Sequence, residues 1–244
     1  MKTIKSFVVS VSLFLAVGSV QAESVTVSSY VTNKYLAFGT GSVLSNDAAV
    51  QSDAFMSFNN GFYAGLWSSR SLSGSWNDGS LGNELDYAIG WKGSVANEVT
   101  MNIGSCYFDE PRALTLGVGD ILKTYMSVTK DCKLGSVTLG YENYLTMPGS
   151  GFHGGNLVTL GVSRSLSVSD GKFGLRASVI GVYDFGTLGT RSGFIARGTV
   201  GVDWNASKRL TVNVLGVNWF VPLTAHDKRV TNAMFTTGIT FKAK

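Results

Sequence analysis

The sequence contains one glycine-rich motif of the kind that binds dinucleotides, Gly149-Ser150-Gly151-Phe152-His153-Gly154. In a dinucleotide-binding domain this motif follows a strand and opens a helix, whose N-terminus holds the pyrophosphate. No helical period follows Gly155, where a strand pattern begins instead. We therefore interpret the motif as part of a loop, and we predict no cofactor.

The two histidines, His153 and His226, are the next candidates for chemistry, and both fall in predicted long loops. A serine beside one of them would form the nucleophile and base of a lipid hydrolase. Serines are too frequent for the sequence to select one, so an outer-membrane lipid hydrolase stays an alternative interpretation, and we predict no enzyme. No Cys/His cluster has the spacing of metal ligands, so no metal site is predicted.

The elements that must position any functional residue are β-strands. Apolar residues alternate with polar or small ones along most of the chain beyond Glu23, which is typical of strands with one apolar face. Twelve such segments predict twelve strands, at 24–38, 48–58, 61–70, 83–92, 97–108, 119–129, 134–145, 156–168, 172–184, 194–204, 209–221 and 231–242. The alternation changes phase near Val214, which predicts a β-bulge there.

The connections between these segments alternate between short and long. The short ones are Asn59-Asn60, Gly93–Ala96, Lys130–Lys133, Ser169–Gly171 and Asn205–Lys208. The long ones are Gly39–Asp47, Ser71–Gly82, Asp109–Val118, Thr146–Gly155, Gly186–Gly193 and Pro222–Val230. Antiparallel strands so connected have all short turns and both termini at one end. This pattern is typical of an all-β, antiparallel transmembrane β-barrel, with short periplasmic turns and longer extracellular loops.

The two faces of the strands indicate which solvent each one meets. One face is apolar and suits outer-membrane lipid, whereas the other carries many glycines, serines and threonines and suits a wet lumen. A secreted two-sheet sandwich would not explain the alternating loop lengths. Aromatic residues near strand ends are predicted to form interfacial girdles: Trp67, Trp91, Tyr144, Tyr183, Trp204 and Trp219.

Charged residues on the polar face are the candidate functional residues. The alternation places eight of them along the lumen: Glu84, Asp86, Lys123, Glu142, Arg176, Arg197 and Asp203, with Asp184 near the extracellular rim. They either pair and stiffen the barrel, or create a transverse field that orients hydrated solutes. Five acids against three bases is too small a margin to predict strong ion selectivity.

Composition and the N-terminus restrict the class of protein further. Charged residues make up 15% of the chain, and its formal charge of +4 becomes +2 once Lys2 and Lys5 are removed, which is too small to predict nucleic-acid binding. Lys2 and Lys5 precede the apolar run Phe7–Val17, and Val20-Gln21-Ala22 fits a cleavage site. We predict a signal peptide at 1–22 and a barrel domain at 23–244.

The predicted strand directions also bear on the two cysteines, Cys106 and Cys132. Cys106 falls at the loop end of one strand and Cys132 at the turn end of the next. A strand of about ten residues separates such ends by about 33 Å, whereas the Cα atoms of a disulfide lie within about 7 Å. We therefore predict two free thiols.

The stretch from Thr32 to Trp91 resembles the TorF family of porins. The matching motifs are Tyr35–Gly39, the polar run Asn46–Gln51, the hairpin Gly61–Ser69 and the acidic strand Glu84–Gly93. Family members carry an arginine where this chain has Phe38. Outer-membrane barrels commonly end on an aromatic residue that the barrel assembly machinery reads, whereas here Phe241 precedes three further residues.

The resemblance implies a porin and no particular substrate. Together with the strand pattern, it predicts a monomeric twelve-stranded barrel in the cell outer membrane that passes small hydrophilic solutes. A barrel that is plugged by its own side chains, and that has a structural or adhesive role, is a further alternative to the hydrolase.

Overall fold

The computed structural model describes residues 22–37, 39–73, 83–109, 120–147, 152–224 and 230–243, and these residues form fourteen strands and one short 3₁₀ turn at Thr187–Gly189. The strands are β1 (Ser24–Thr32), β2 (Tyr35–Leu36), β3 (Val43–Ser45), β4 (Ala49–Ser57), β5 (Phe62–Ser71), β6 (Glu84–Ala96), β7 (Val99–Asp109), β8 (Ile121–Cys132), β9 (Gly135–Thr146), β10 (Gly155–Val168), β11 (Phe173–Asp184), β12 (Gly193–Asn205), β13 (Leu210–Pro222) and β14 (Asn232–Ala243).

Twelve of these strands close into one antiparallel barrel. The ring runs β1-β14-β13-β12-β11-β10-β9-β8-β7-β6-β5-β4 and returns to β1. Closure is made by β1, which pairs with β14 from Val25↔Ala243 to Thr32↔Thr236 and with β4 on its other side. No strand of the ring therefore has an unpaired edge. The predicted twelve-stranded fold is confirmed.

Long and short connections alternate around the barrel as predicted. Tight turns join the strands at one end, which we call the turn end, and the first residue of β1 and the last of β14 lie there. The strand ends that the longer connections join lie at the opposite end, which we call the loop end; these connections are 33–48, 72–83, 110–120, 147–154, 185–192 and 223–231. Two turns lie later than predicted, because β6 continues through Ala96 and turns at Asn97-Glu98, and β8 continues through Cys132 and turns at Lys133-Leu134. Glu98 adopts a positive φ of 57° in the first of them, which completes the tight turn.

The outer face of the barrel is apolar and the period of two decides which residues reach it. Leu139, Leu160 and Val179 are 56%, 58% and 57% exposed on this face. The predicted bulge is also present, since Val202 pairs with Leu215 and Asp203 with Asn213, which leaves Val214 unpaired. Because of this extra residue, Val214 and Leu215 both point outwards and both are about half exposed.

Part of the predicted aromatic girdle is found on the outer face. Tyr183 packs edge-to-face against Phe185 and Phe194, with ring centroids 4.6 Å apart in both pairs. Trp204 is exposed near the turn end, where the indole of Trp91 donates a hydrogen bond to the Asn60 carbonyl oxygen. These rings lie where an interface between lipid and water would fall.

Trp67 and Tyr144 depart from that prediction, because both line the interior cavity of the barrel. They find an apolar environment there because the segment that follows β1 folds into the lumen, where Tyr35 packs on Trp67. The sequence predicted the first strand to run to residue 38. Instead β1 ends at Thr32, and Asn33 accepts a hydrogen bond from the Phe235 backbone amide through its side chain.

Candidate functional site: the lumen

The interior of the barrel holds a cavity of about 640 Å³. Hydroxyl and amide side chains line its central part, among them Asn102, Thr138, Ser178 and Asn218. Charged and aromatic side chains line it towards the loop end. A cavity of this volume is within the range of about 300–1,000 Å³ that is typical of small-molecule sites.

A β-hairpin, formed by β2 and β3, crosses the lumen at the loop end. Tyr35 pairs with Ser45 and Leu36 with Val43, and Ala37 closes the turn by donating a backbone hydrogen bond to Ser42. Leu36 is fully buried against Phe220 of β13 and Met234 of β14, with Val43 beside them. We call residues 33–48 the lumen hairpin. Its apolar contacts fix it against the inner wall.

The tip of the lumen hairpin reaches the far side of the barrel. A Cβ atom on Gly39 would lie 2.7 Å from Leu157 Cδ1 and 2.9 Å from Tyr144 Oη, so the backbone at Gly39 lies close to both side chains. Tyr144 lies on β9, which stands opposite β1 in the ring of twelve. The hairpin therefore spans the lumen, from the strand that precedes it to the opposite wall.

A hydrogen bond ties the start of the lumen hairpin to one of the predicted acids. The Tyr35 hydroxyl donates to the Glu84 carboxylate, and the Tyr35 ring lies 5.7 Å from the Trp67 ring between centroids. Glu84 is only 3% exposed. Its carboxylate therefore helps to hold the hairpin as well as to line the cavity.

An apolar cluster, which the sequence analysis missed, narrows the loop end of the lumen. It contains Ile121, Tyr144, Leu157, Val182 and Ile195, which are all at most 5% exposed, and Phe152 packs against it. These residues lie on the inward face of five strands. The sequence showed that these residues alternate with outward-facing apolar residues. It did not show which segment of the chain covers them.

Five of the eight predicted lumen charges line the cavity: Glu84, Asp86, Lys123, Glu142 and Arg197. Glu84 and Asp86 lie on β6, and Arg197 lies on β12. Five strands separate β6 from β12 in each direction around the ring, so the two acids face Arg197 across the lumen.

Lys123 and Glu142 have aromatic partners on the same wall. The Lys123 ammonium lies 5.3, 5.5 and 5.9 Å from the ring centroids of Phe108, Tyr125 and Tyr144. These distances are those of cation–π contacts. The Tyr144 hydroxyl donates a hydrogen bond of 2.6 Å to the Glu142 carboxylate. Both charges are thus held in fixed positions by the rings around them.

Arg176 and Asp203 form an ion pair nearer the turn end. Arg176 Nε lies 3.1 Å from Asp203 Oδ2, and the Asn213 amide donates a 2.7 Å hydrogen bond to the other carboxylate oxygen. The guanidinium lies across Gly201, where a Cβ atom would be 2.7 Å from its Nε. For these two residues the structure shows pairing along the wall, the first of the two roles considered for the lumen charges.

Asp184 organises a loop at the rim. Its carboxylate accepts hydrogen bonds from the backbone amides of Gly186 and Thr187 and from the Thr190 hydroxyl. The residue is fully buried. It therefore caps the 3₁₀ turn of the loop 185–192 and does not face the cavity.

The predicted set lacked two features of the lumen, a hydrogen-bonded group around Tyr63 and the carboxylate of Asp53. The Tyr63 hydroxyl donates a 2.8 Å hydrogen bond to Asn102 and lies 2.5 Å from the Tyr125 hydroxyl. Asp53 pairs with Ser28 across β4 and β1, on the same face as the cavity-lining Phe55. The alternation of the β4 segment could have revealed Asp53.

The motifs that suggested chemistry do not form a site in the described residues. The glycine-rich motif continues into β10 and not into a helix, and its residues 149–151 lie outside the described ranges. His153 makes no hydrogen bond to a serine in the described part of the chain, and His226 lies outside it. Within the described ranges, no group of three or more His, Cys, Asp and Glu side chains is placed to hold a metal ion.

Both cysteines are free thiols, as the strand directions predicted. Cys106 is buried near the loop end of β7, and Cys132 is exposed at the turn end of β8. Phe38, the position where this chain departs from the TorF pattern, and the predicted signal peptide up to residue 21 lie outside the described residues.

No helix in the described ranges is long and apolar enough to cross a membrane.

Solved structures of outer-membrane porins share this fold. The KdgM porin in complex with disordered oligogalacturonate aligns with a TM-score of 0.55 at 10% identity, covering 89% of this chain and 98% of that one. The NanC porin aligns with a TM-score of 0.56 at 8% identity, covering 90% and 100%. The translocator domain of the autotransporter NalP from Neisseria meningitidis aligns at 0.52 and 10% identity, covering 98% and 96%.

Sequence comparison places the chain in a family that differs in name from the one it was expected to resemble. No curated protein matches the chain. The model of a family described as "Bacterial protein of unknown function (Gcw_chp)" matches residues 19–234. The description of the matching family does not include the name TorF. It extends over most of the barrel, and we conclude that the chain is a member of the Gcw_chp family with the fold of the outer-membrane porins.

Proposed function

We propose that this protein is a passive channel of the bacterial outer membrane for small hydrophilic solutes. The observation that carries the proposal is the contrast between the two faces of the closed barrel. The outer face exposes apolar side chains, whereas the inner face surrounds a cavity of about 640 Å³ with hydroxyl, amide and charged groups. Transport through such a barrel needs no catalysis, since polar walls replace part of the water around the solute.

The membrane location follows from the same contrast. A wall on which residues such as Leu139 and Leu160 are more than half exposed would be costly in water, and its period-two pattern fits lipid. The likeness to KdgM and NanC supports the location through the fold alone. In this proposal the signal peptide 1–22 exports the chain, and the barrel assembly machinery inserts it.

A second function is favoured by one specific observation, the lumen hairpin. It spans the barrel and packs through Leu36, which is fully buried. A barrel whose hairpin never leaves this position would be plugged, and it would serve as a structural or adhesive protein. In a channel, the hairpin restricts the lumen and sets the size of the solute that passes.

Swelling of proteoliposomes in arabinose tests these functions against each other. The channel predicts swelling with the wild-type barrel and none with protein-free liposomes. No swelling with the wild type, together with swelling after residues 34–47 are replaced by a short Gly-Ser linker, would establish the plugged barrel. Release of fatty acids from the liposomes without swelling would establish the lipid hydrolase.

A further inference from the structure

The outer wall of the barrel carries two bases at its turn end, Lys130 on β8 and Arg164 on β10. The period of two places both on the outward face, since Lys130 follows the outward Val128, and Arg164 lies between Val162 and Leu166, which are about half exposed. Both bases are themselves exposed. They are the only charged residues on the outward face of β8, β9 and β10, three strands that the structure describes in full.

The register of these strands brings the two bases close together. Lys130 pairs with Val137 of β9, which pairs with Val162 of β10, so Arg164 lies two strands away and two residues further along. Because strands are about 4.8 Å apart and rise about 3.3 Å per residue, the two Cα atoms lie about 12 Å apart. Gly135 of β9 lies between them without a side chain, and a Cβ atom there would be 3.4 Å from Arg164 Cβ. Both long side chains can therefore reach one group on the wall.

Both bases lie at the level where the wall meets the turns. Lys130 is two residues from the end of β8. Arg164 lies beside Gly135, the first residue of β9, because the preceding Ser163 pairs with Ser136. A charged side chain on the lipid face is costly at the midplane of the membrane and costs little near the interface. Long basic side chains at this level extend their charged ends to the lipid headgroups.

The charge around the two bases is mainly positive. Lys133, in the turn between β8 and β9, is a third exposed base. Asp131 points inwards, where it accepts a 2.5 Å hydrogen bond from the Ser136 hydroxyl. Glu98, in the turn before β7, is the acid that lies beside Lys130. Neither base of the wall forms a salt bridge within the described residues. We call Lys130, Lys133 and Arg164 the basic wall patch.

From this patch we infer that the barrel binds the headgroup of an anionic phospholipid, with the phosphate between Lys130 and Arg164 and the acyl chains along the apolar wall of Val137 and Leu139. The Arg164 guanidinium presents a planar fork of N–H donors to phosphate oxygens, and the Lys130 ammonium adds a second charge. The inference rests on the proposed membrane location and not on the passage of solutes. A free phosphate ion would meet the same two bases but would gain nothing from the apolar wall.

Native mass spectrometry of the purified barrel in detergent tests the inference. The two lipids are dioleoyl phosphatidylglycerol, which is anionic, and dioleoyl phosphatidylcholine, which has the same acyl chains and no net charge. Each base near a membrane surface favours an anionic lipid about fivefold, so two bases should give the wild type a preference of roughly 20-fold for phosphatidylglycerol at low salt. Inorganic phosphate at the same concentration as the lipid should not displace it.

Variants identify the residues that are responsible. Lys130→Gln and Arg164→Gln should each lower the preference about fivefold, and the double variant should bind the two lipids nearly equally. Arg164→Lys keeps the charge and should retain most of the preference. Lys92→Gln removes the same charge as Lys130→Gln, but from the inward face of β6 on which Glu84 and Asp86 lie, and it should leave the preference unchanged.

The outcomes separate the inference from the channel. Equal binding of the two lipids by the wild type, or a preference that survives the double variant, would overturn the headgroup site, and swelling in arabinose would still support the channel. Displacement of the lipid by inorganic phosphate would show a site for the anion alone, which also overturns the inference. A preference lost in the double variant, in a barrel that causes no swelling, would support the headgroup site and contradict the channel. If the barrel does not enter lipid vesicles, the membrane location and the headgroup site both fail.

Discussion

Neighbouring residues of one strand point to opposite faces of this barrel. Leu139 is 56% exposed on the outer face, whereas Thr138 lines the cavity and lies 2.9 Å from the Thr129 hydroxyl. A charged side chain on the lipid face costs roughly 2–4 kcal/mol at mid-membrane, whereas one in a wet lumen keeps most of its hydration. We expect Leu139→Arg to reduce assembly of the heat-resistant barrel severalfold, and Thr138→Arg to assemble nearly as the wild type.

The measurement is the folded fraction in outer-membrane extracts, read from the mobility shift of unheated samples on gels. Both variants add the same side chain to the same strand, so each controls for the other. Equal yields would mean that this wall does not face lipid.

At the residue scale, the alternation of the sequence was more informative about the charged residues than about the aromatic rings. Glu84, Asp86 and Arg197 were assigned to the inner face from their polar or small neighbours, and they line the cavity. Trp67 was assigned outwards because it is apolar. Its inward position depends on Tyr35, which arrives from another segment. A residue's own strand pattern contains no information about such a distant partner.

At the scale of elements, the lumen hairpin is the part of the structure that the sequence analysis did not anticipate. Its residues extend the apolar pattern of β1, which is why the first strand was predicted to reach residue 38. Gly41 lies in the turn of the hairpin, where it adopts a φ of +71° and a Cβ atom would lie 2.5 Å from the Phe220 ring. The remaining strand boundaries follow from hydrogen-bonded pairing and differ little from the predicted ones.

The hairpin's hold on the wall depends chiefly on Leu36. Complete burial of a leucine side chain contributes about 2 kcal/mol. If the hairpin can leave the lumen, Leu36→Ser should therefore shift the equilibrium between the docked and the undocked hairpin about 30-fold towards the undocked state. We expect a larger mean conductance in planar bilayers for this variant than for the wild type.

Leu134→Ser makes the same substitution in an exposed turn, where the leucine is 77% exposed, and it should leave the conductance unchanged. An unaltered conductance for Leu36→Ser, in a barrel that still assembles, would show that the hairpin does not restrict the channel.

For the whole molecule, closure by β1 and β14 accounts for the position of both chain ends. The two strands pair along their length, and Phe241 lies opposite Val27 with its ring 45% exposed. The residues that follow Phe241 continue β14 through Ala243, so the aromatic residue lies on the outer face close to the turn end. A barrel with both termini at one end needs an even number of strands. The alternation of connection lengths was therefore sufficient to predict this topology from the sequence.

The same topology predicts which end of the molecule faces the cell exterior. Cys132 is exposed at the turn end, and Ser192 is exposed in the loop 185–192 at the other end. In a Gram-negative host, a membrane-impermeant maleimide should label the Ser192→Cys variant in intact cells when Cys106 and Cys132 are replaced by serine. In the protein that keeps Ser192 and Cys132 and has Cys106 replaced, labelling should require permeabilisation of the outer membrane, because the short turns of outer-membrane barrels face the periplasm. If intact cells are labelled through Cys132 but not through Ser192→Cys, the barrel has the opposite orientation in the membrane. If neither protein is labelled even after lysis, the two residues are not exposed.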